Sequence, residues 1–195
     1  FFFLYIATFV GLALALAQSD FKVTLIEARD PAAPPRADTR NFAIVTGSWR
    51  LLQAIGIAPA LAGKTEPLHG LEAVDGGTHW FGAPSVLFGD EDVEDRGEDE
   101  TLGQMVQAFD LQAAIDEAIA GETRITTIAP AFFKGAEARP GGIDISLDGD
   151  RKISAQLLIG ADGLNSPVRE AAGISTEGRD YGKSVFAANV ALSRP

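Results

Sequence analysis

Two carboxylates stand where the local pattern gives them chemistry. Glu27 closes the run Phe21-Lys22-Val23-Thr24-Leu25-Ile26, which reads as a strand. An acid at the carboxyl end of a parallel strand, roughly 20 residues past a glycine turn, accepts a hydrogen bond from the ribose of a dinucleotide. Asp162 lies in Gly160-Ala161-Asp162-Gly163-Leu164-Asn165-Ser166-Pro167-Val168-Arg169, directly after Leu157-Leu158-Ile159, an apolar run that reads as a buried strand. A carboxylate on such a strand-to-helix turn can hold backbone N–H groups and shape a ligand pocket. The plainer alternatives are a surface acid at a strand end for Glu27 and an ordinary turn pair with an Asn-Ser cap for Asp162.

The rest of the composition narrows the chemistry by exclusion. The 195 residues contain no cysteine, so disulfides, thiolate nucleophiles and iron–sulfur clusters are ruled out. The two histidines, His69 and His79, have no metal-ligand spacing, and no Gly-x-Ser-x-Gly elbow occurs. No metal site and no side-chain nucleophile is expected. A net charge of −11 argues against a phosphate-neutralising surface, so nucleic acid is not an expected partner. The acidic stretch Asp90-Glu91-Asp92-Val93-Glu94-Asp95-Arg96, continuing to Glu100, reads as a solvated loop. With 46% hydrophobic residues the chain can bury a core, as one domain or a domain and a part. The sole methionine is Met105, which points to a sequence that starts inside a longer gene product.

The elements that must carry these groups begin at an apolar N-terminus, Phe1 to Ala17. Read as a membrane span it is at the short limit and lacks interfacial flanks; read as a signal peptide it has no basic n-region. The preferred reading splits it. Phe2 to Ile6 is a buried parallel strand, Gly11 to Gln18 a helix, and Phe21 to Glu27 a second strand. This strand-helix-strand opens a dinucleotide-binding fold. Its Gly-x-Gly-x-x-Gly turn should occupy Ile6, Thr8 and Gly11, and only Gly11 matches. A side chain at Thr8 stands where the pyrophosphate should approach backbone, leaving Gly11 its helix–strand packing role.

Further along, Ser48 is positioned to cap a helix with a Leu51, Leu52 and Ile55 stripe, closed by Gly56. A second helix starts with Asp110 as its cap and ends at Gly121. Ile125 to Ile128 reads as a sheet strand. Ala131 to Ala138, Ile143 to Leu147 and Lys152 to Gln156 read as a meander turning at Pro140-Gly141-Gly142 and Asp148-Gly149-Asp150. Leu68 to Phe88 and Lys183 to Leu192 are strand-rich. The fold class is α/β: a Rossmann-like dinucleotide-binding fold with central parallel sheet and β-meander, plus the start of a second, mainly β domain.

The Gly160 to Arg169 string resembles the Asp-Gly motif of the flavoprotein aromatic hydroxylases, the class A FAD-dependent monooxygenases. Asp38-Thr39-Arg40-Asn41-Phe42-Ala43-Ile44, with the helix after it, resembles the Asp-x-Arg segment of the ubiquinone-biosynthesis hydroxylases among them. The resemblance covers the whole chain and corresponds to the N-terminal half of such an enzyme; the family's Gly-Asp-Ala-Ala-His motif is absent.

The resemblance implies FAD as cofactor, NAD(P)H as reductant, and transfer of one oxygen atom of dioxygen to a phenol ring. It implies no catalytic side chain. The cofactor contacts it implies are Gly11, Glu27, Arg40 along the FAD, Gln104 at the ribityl region with Gln107 its neighbour, and Asp162. Residues 1–66 and 99–178 would form the FAD-binding domain, and 67–98 and 179–195 parts of a substrate domain. The implied substrate is a polyprenylated phenol, a small-molecule quinone precursor, with peripheral association with a membrane or biosynthetic complex; the absence of cysteine fits a cytoplasmic location. Two other readings stay open: a truncated or degenerate flavoprotein fold without activity, and a secreted or membrane-anchored binding domain.

Overall fold

The structure is a computed structural model and describes residues 11–33, 40–77, 83–98, 100–178, 180–182 and 184. In chain order its elements are α1 (residues 11–18), β1 (Val23–Ile26), β2 (Asn41–Val45), α2 (Thr46–Ala54), β3 (Thr65–Leu68), β4 (Gly70–Val74) and β5 (Ser85–Gly89). There follow β6 (Gly103–Gln107), α3 (Ala108–Gly121), β7 (Ile125–Ile128), β8 (Phe133–Arg139), β9 (Gly142–Leu147), β10 (Lys152–Ala155) and α4 (Pro167–Ala171). Short 3-10 turns occupy Ala58–Leu61 and Asp90–Asp92. The chain divides into two compact units, Phe1–Arg36 with Ile119–Phe186, and Ala37–Ala118 with Ala187–Pro195.

In the first unit, β1 and β7 form a parallel pair with Val23 opposite Ile125 and Ile26 opposite Ile128. All residues of the two strands except Leu25 are β-branched, which favours the extended backbone. β1 begins two residues later than the sequence implies, and Phe21 is 57% exposed. Helix α1 buries Ala13, Leu14 and Ala17, spacings of one and three residues that share a helix face. β8, β9 and β10 form the expected antiparallel meander. Its core is Ala131, Ile145 and Leu147, against which Ile26, Ile128, Phe133, Ile153 and Leu158 pack.

The predicted strand Leu157-Leu158-Ile159 is a correction. No strand forms there, and Leu157 and Ile159 are 72% and 42% exposed. A continuous apolar run does not specify a strand, because a strand exists only where a neighbouring backbone pairs with it. No described backbone hydrogen bond pairs residues 157–160 with another segment. Only Leu158 reaches the core. The neighbour expected for this run, Phe2 to Ile6, lies outside the described residues, as do Asp38, Thr39 and residues 185–192.

In the second unit, β6 is the central strand of an antiparallel sheet ordered β2-β6-β3. α2 packs on β2 and β6. The expected Ser48 cap is not used: α2 starts at Thr46, with Val45 at the cap position and no side-chain cap. The start is fixed by tertiary bonds instead, since the Thr46 hydroxyl donates to the Thr101 carbonyl and the Thr46 N–H to the Leu102 carbonyl at 3.1 Å. The far end follows the sequence. Gly56 has φ +80°, Gly56 N–H donates to Gln53 O and Ile57 N–H to Leu52 O, the paired bonds of a Schellman stop. Leu52 and Ile55 are buried as expected, whereas Leu51 is 45% exposed and leaves the stripe. In α3, Asp110 sits in the first turn and not at the cap, 3.7 Å from Lys64 Nζ, and the helix buries Ala108, Leu111, Ala114 and Ile115. β4 and β5 pair as a separate two-stranded ribbon.

Candidate functional site

Of the expected contacts, Gly11, Glu27 and Asp162 belong to the first unit, and Arg40 and Gln104 to the second. Glu27 is the residue after β1. Its N–H donates to Ile128 O at 3.1 Å and its carbonyl accepts Ala131 N–H at 2.9 Å, so backbone on both sides fixes where the strand ends. The carboxylate Oε1 accepts Arg29 N–H at 2.8 Å. Its second oxygen takes no hydrogen bond among the described residues. Gly11 is buried at the first described position of α1.

Asp162 is tied into its own corner. Oδ1 accepts the Ser166 hydroxyl, and Oδ2 accepts Val168 N–H at 2.9 Å. Ser166 Oγ in turn accepts Arg169 N–H at 2.9 Å and so caps α4. Arg169 Nη2 donates to Leu164 O at 2.7 Å, closing the loop from the other side. Gly163 has φ +89°, a conformation that a side chain would strain, and a Cβ on Gly160 would stand 3.0 Å from Val168 Cγ1. The carboxylate therefore braces the loop between Gly160 and the N-terminus of α4. Both of its oxygens are engaged by that loop.

Gln104 sits at the centre of β6, opposite Ile44 on one side and Pro67 on the other. Side chains alternate along a strand, so Gln104 shares its face with Val106 and Ile44, both buried, while Met105 and Gln107 project from the other. That other face, with Asn41, Lys64, Glu66 and Asp110, lines a polar cleft of about 370 Å³. Gln104 and its sequence neighbour Gln107 therefore serve different surfaces. Arg40 directly precedes β2. Its guanidinium lies 5.6 Å from the Phe42 ring centroid, and its carbonyl accepts Ala108 N–H at the start of α3.

Two polar constellations were not legible in the sequence. Arg50 on α2 grips Glu100 with both ends of its fork, Nε to Oε1 at 2.9 Å and Nη2 to Oε2 at 2.5 Å, and reaches Asp95 O at 2.8 Å. The Arg50 hydrogen bond, aided by Gly97 N–H, pulls the Glu100 carboxyl down to about 2. The acidic stretch is thus pinned to a helix and is more than the solvated loop expected. The second is an Asp–His pair, His69 Nδ1 to Asp90 Oδ2 at 2.9 Å, with Leu102 N–H on Asp90 Oδ1 at 2.7 Å. The hydrogen bond from His69 lowers the Asp90 pKa. Both pairs join segments 21 to 50 residues apart, a separation no local motif records. Among the described residues no cluster of three or more His, Cys, Asp or Glu could hold a metal ion, and no helix is long and apolar enough to cross a membrane.

Comparison with known proteins bears on what these units are. The chain is 32% identical over 185 residues to the ubiquinone hydroxylase UbiL of Rhodospirillum rubrum, covering 94% of this chain and 41% of the relative. It is 33% identical over 184 residues to the 3-demethoxyubiquinol 3-hydroxylase of Escherichia coli, covering 92% of this chain and 45% of the relative. The chain thus spans less than half the length of these relatives. Its fold is similar to the flavin-dependent monooxygenase PieE, solved in complex with FAD and substrate, with a TM-score of 0.64 at 19% identity over 87% of this chain and 31% of that one. The sequence profile of the FAD binding domain family matches residues 9–194, and with a parallel strand pair closed by Glu27 the chain belongs to that family.

Proposed function

We propose that the protein carrying this sequence is an FAD-dependent aromatic hydroxylase that uses NAD(P)H and dioxygen to hydroxylate a polyprenylated phenol in ubiquinone biosynthesis. The observation that carries this reading is similarity to two ubiquinone hydroxylases across more than nine-tenths of the chain. The residues present fit the cofactor on one structural count: Glu27 ends a parallel strand with one carboxylate oxygen held and, among the described residues, no hydrogen bond on the other, the chemistry a ribose hydroxyl needs. When bound, FAD supplies the redox chemistry and the activation of dioxygen.

The chain's own residues bind and orient. Glu27 would hold the ribose and Gly11 would allow close helix–strand packing; Arg40 and Gln104 are each proposed as cofactor contacts in their own right. Asp162 would act by holding the Gly160–Ser166 loop in shape beside it. Residues 1–66 and 99–178 are assigned to the cofactor domain, and 67–98 with 179–195 to the substrate domain. The β4–β5 ribbon supports that division: Leu71, Ala73, Val86 and Phe88 share one face and are all exposed, an apolar surface suited to cover a hydrophobic substrate. A polyprenyl tail also implies that the protein works at a membrane surface or within an assembly, and the absence of cysteine fits the cytoplasm.

The test is product analysis under isotopically labelled dioxygen, with NAD(P)H and a prenylated phenol. One labelled oxygen on the ring is expected. A protein that binds FAD yet forms no hydroxylated phenol is a flavoprotein of another activity.

A further inference from the structure

The three residues that lead into β6 are each tied from outside the strand. Arg50 holds the Glu100 carboxylate, Nε to Oε1 at 2.9 Å and Nη2 to Oε2 at 2.5 Å. The Thr101 carbonyl accepts the Thr46 hydroxyl, and the Leu102 carbonyl accepts Thr46 N–H at 3.1 Å. Thr46 and Arg50 are four residues apart on α2, so they stand one above the other on one helix face. That face is a template along which the chain is laid before it enters the sheet. Gln104 follows as the second residue of β6.

The strand does not need this template in order to form. β6 is paired with β2 from Gly103 to Gln107 and with β3 from Gly103 to Val106, and Val106 is 2% exposed. The ion pair also adds little to stability, because its side chains are 39% and 29% exposed and solvent screens such pairs. What a two-pronged Arg–carboxylate contact supplies is geometry, since two N–H groups must meet two oxygens at once. Beyond it there is little slack. A Cβ at Gly103 would meet Ile44 O, so the chain passes β2 too closely there to absorb a shift. Where Glu100 is held therefore decides where Gln104 comes to rest.

We propose that Arg50 is a positioning residue for the cofactor: through Glu100 it sets the place of Gln104, the residue assigned above to FAD, and this rests on the flavoprotein hydroxylase reading. A side chain that binds a ligand has to be held within about 0.5 Å of its productive place. A half-exposed ion pair that contributes little to folding is then decisive for affinity. Arg50 acts here by its fork and not by its charge, which Glu100 neutralises.

The test is FAD titration of the flavin-stripped protein at the full length its gene encodes, read as Kd with melting curves alongside to show the fold retained. Arg50→Gln and Glu100→Gln should each raise Kd about tenfold, the lower end of what is lost when a group that orients a binding residue is removed. The sign for Glu100→Gln separates position from charge: an Arg50 that attracted the cofactor's phosphates would be freed by this substitution and would bind FAD more tightly. An unchanged or lower Kd in Glu100→Gln overturns the proposal. The second arm is a double-mutant cycle. With Gln104→Ala in place, neither substitution should raise Kd further, because the residue they position is gone. Additive effects would mark a general loosening of the fold and overturn the proposal as well. A Gln104→Ala protein with the parental Kd overturns it and leaves the hydroxylase reading standing; a parent protein that takes up no FAD overturns both. If Arg50→Gln fails to fold, Glu100→Gln carries both arms.

Discussion

Replacing Asp162 by alanine removes both acceptors of one brace, the Oδ1 bond from Ser166 and the 2.9 Å Oδ2 bond from Val168 N–H. Hydrogen bonds to a charged group are worth about 1.5–3 kcal/mol each when buried. Asp162 is only half-buried, so the lower end applies and the pair should contribute about 2–3 kcal/mol. For a chain of this length that corresponds to a loss of about 4–12 °C in Tm. Asp162→Asn differs in kind. Its remaining oxygen can turn to Val168 N–H while its amide donates to Ser166 Oγ, which still has a lone pair beside the one taken by Arg169. About 1 kcal/mol is expected, the difference between a charged and a neutral acceptor. Urea unfolding of the two variants beside the parent gives the stability differences, and FAD titration of the full-length protein gives the functional ones. An alanine variant within about 0.5 kcal/mol of the parent, the range of an inconsequential surface change, would refute the brace. Flavin affinity preserved in the Asn variant would restrict Asp162 to its loop, while loss of affinity at nearly parental stability would assign it a direct contact.

Leu111 is 1% exposed in α3, and Leu111→Ala should destabilise the chain by about 2–5 kcal/mol through the lost burial and the cavity left behind, read from the urea midpoint at constant m. Glu100 has its pKa depressed in the folded state, so its stabilising contribution is complete above the ordinary value of 4.5 and is lost as pH falls toward about 2. Parental stability should therefore fall more steeply across that window than in Glu100→Gln; parallel acid limbs would show that Arg50 gives the carboxylate nothing. By sequence spacing Thr8 falls at the phosphate-approach glycine of the Gly-x-Gly-x-x-Gly pattern, and on that proposal Thr8→Gly together with Ile6→Gly should tighten FAD binding; an unchanged Kd would remove the steric account.

What was legible in the sequence was what short range decides. Gly56 stopped α2 as expected because its positive φ and the two bonds around it depend only on residues 52 to 57. The meander followed from turn residues and alternation, and β1 with Glu27 from an apolar run ending in an acid. Failures occurred where a distant partner chose the outcome. Ser48 was a sound cap by type, yet the Thr46 bonds to residues 101 and 102 set the helix start two residues earlier. Leu157 and Ile159 had strand composition and no described strand to pair with. At the candidate site, Glu27 could be placed by spacing, but the engagement of both Asp162 oxygens by residues 166 and 168 could not, and Arg50–Glu100 and His69–Asp90 left no trace in local pattern. Propensity carries at most about 1 kcal/mol per residue outside proline; tertiary hydrogen bonds and burial outweigh it.

The most direct test of the central claim is the identity and amount of flavin released from the protein purified at the full length its gene encodes. The account predicts FAD near one equivalent, reduced by NAD(P)H, with Glu27→Ala lowering that occupancy because the ribose loses its acid. Protein that carries no FAD and gains none on titration would contradict the account.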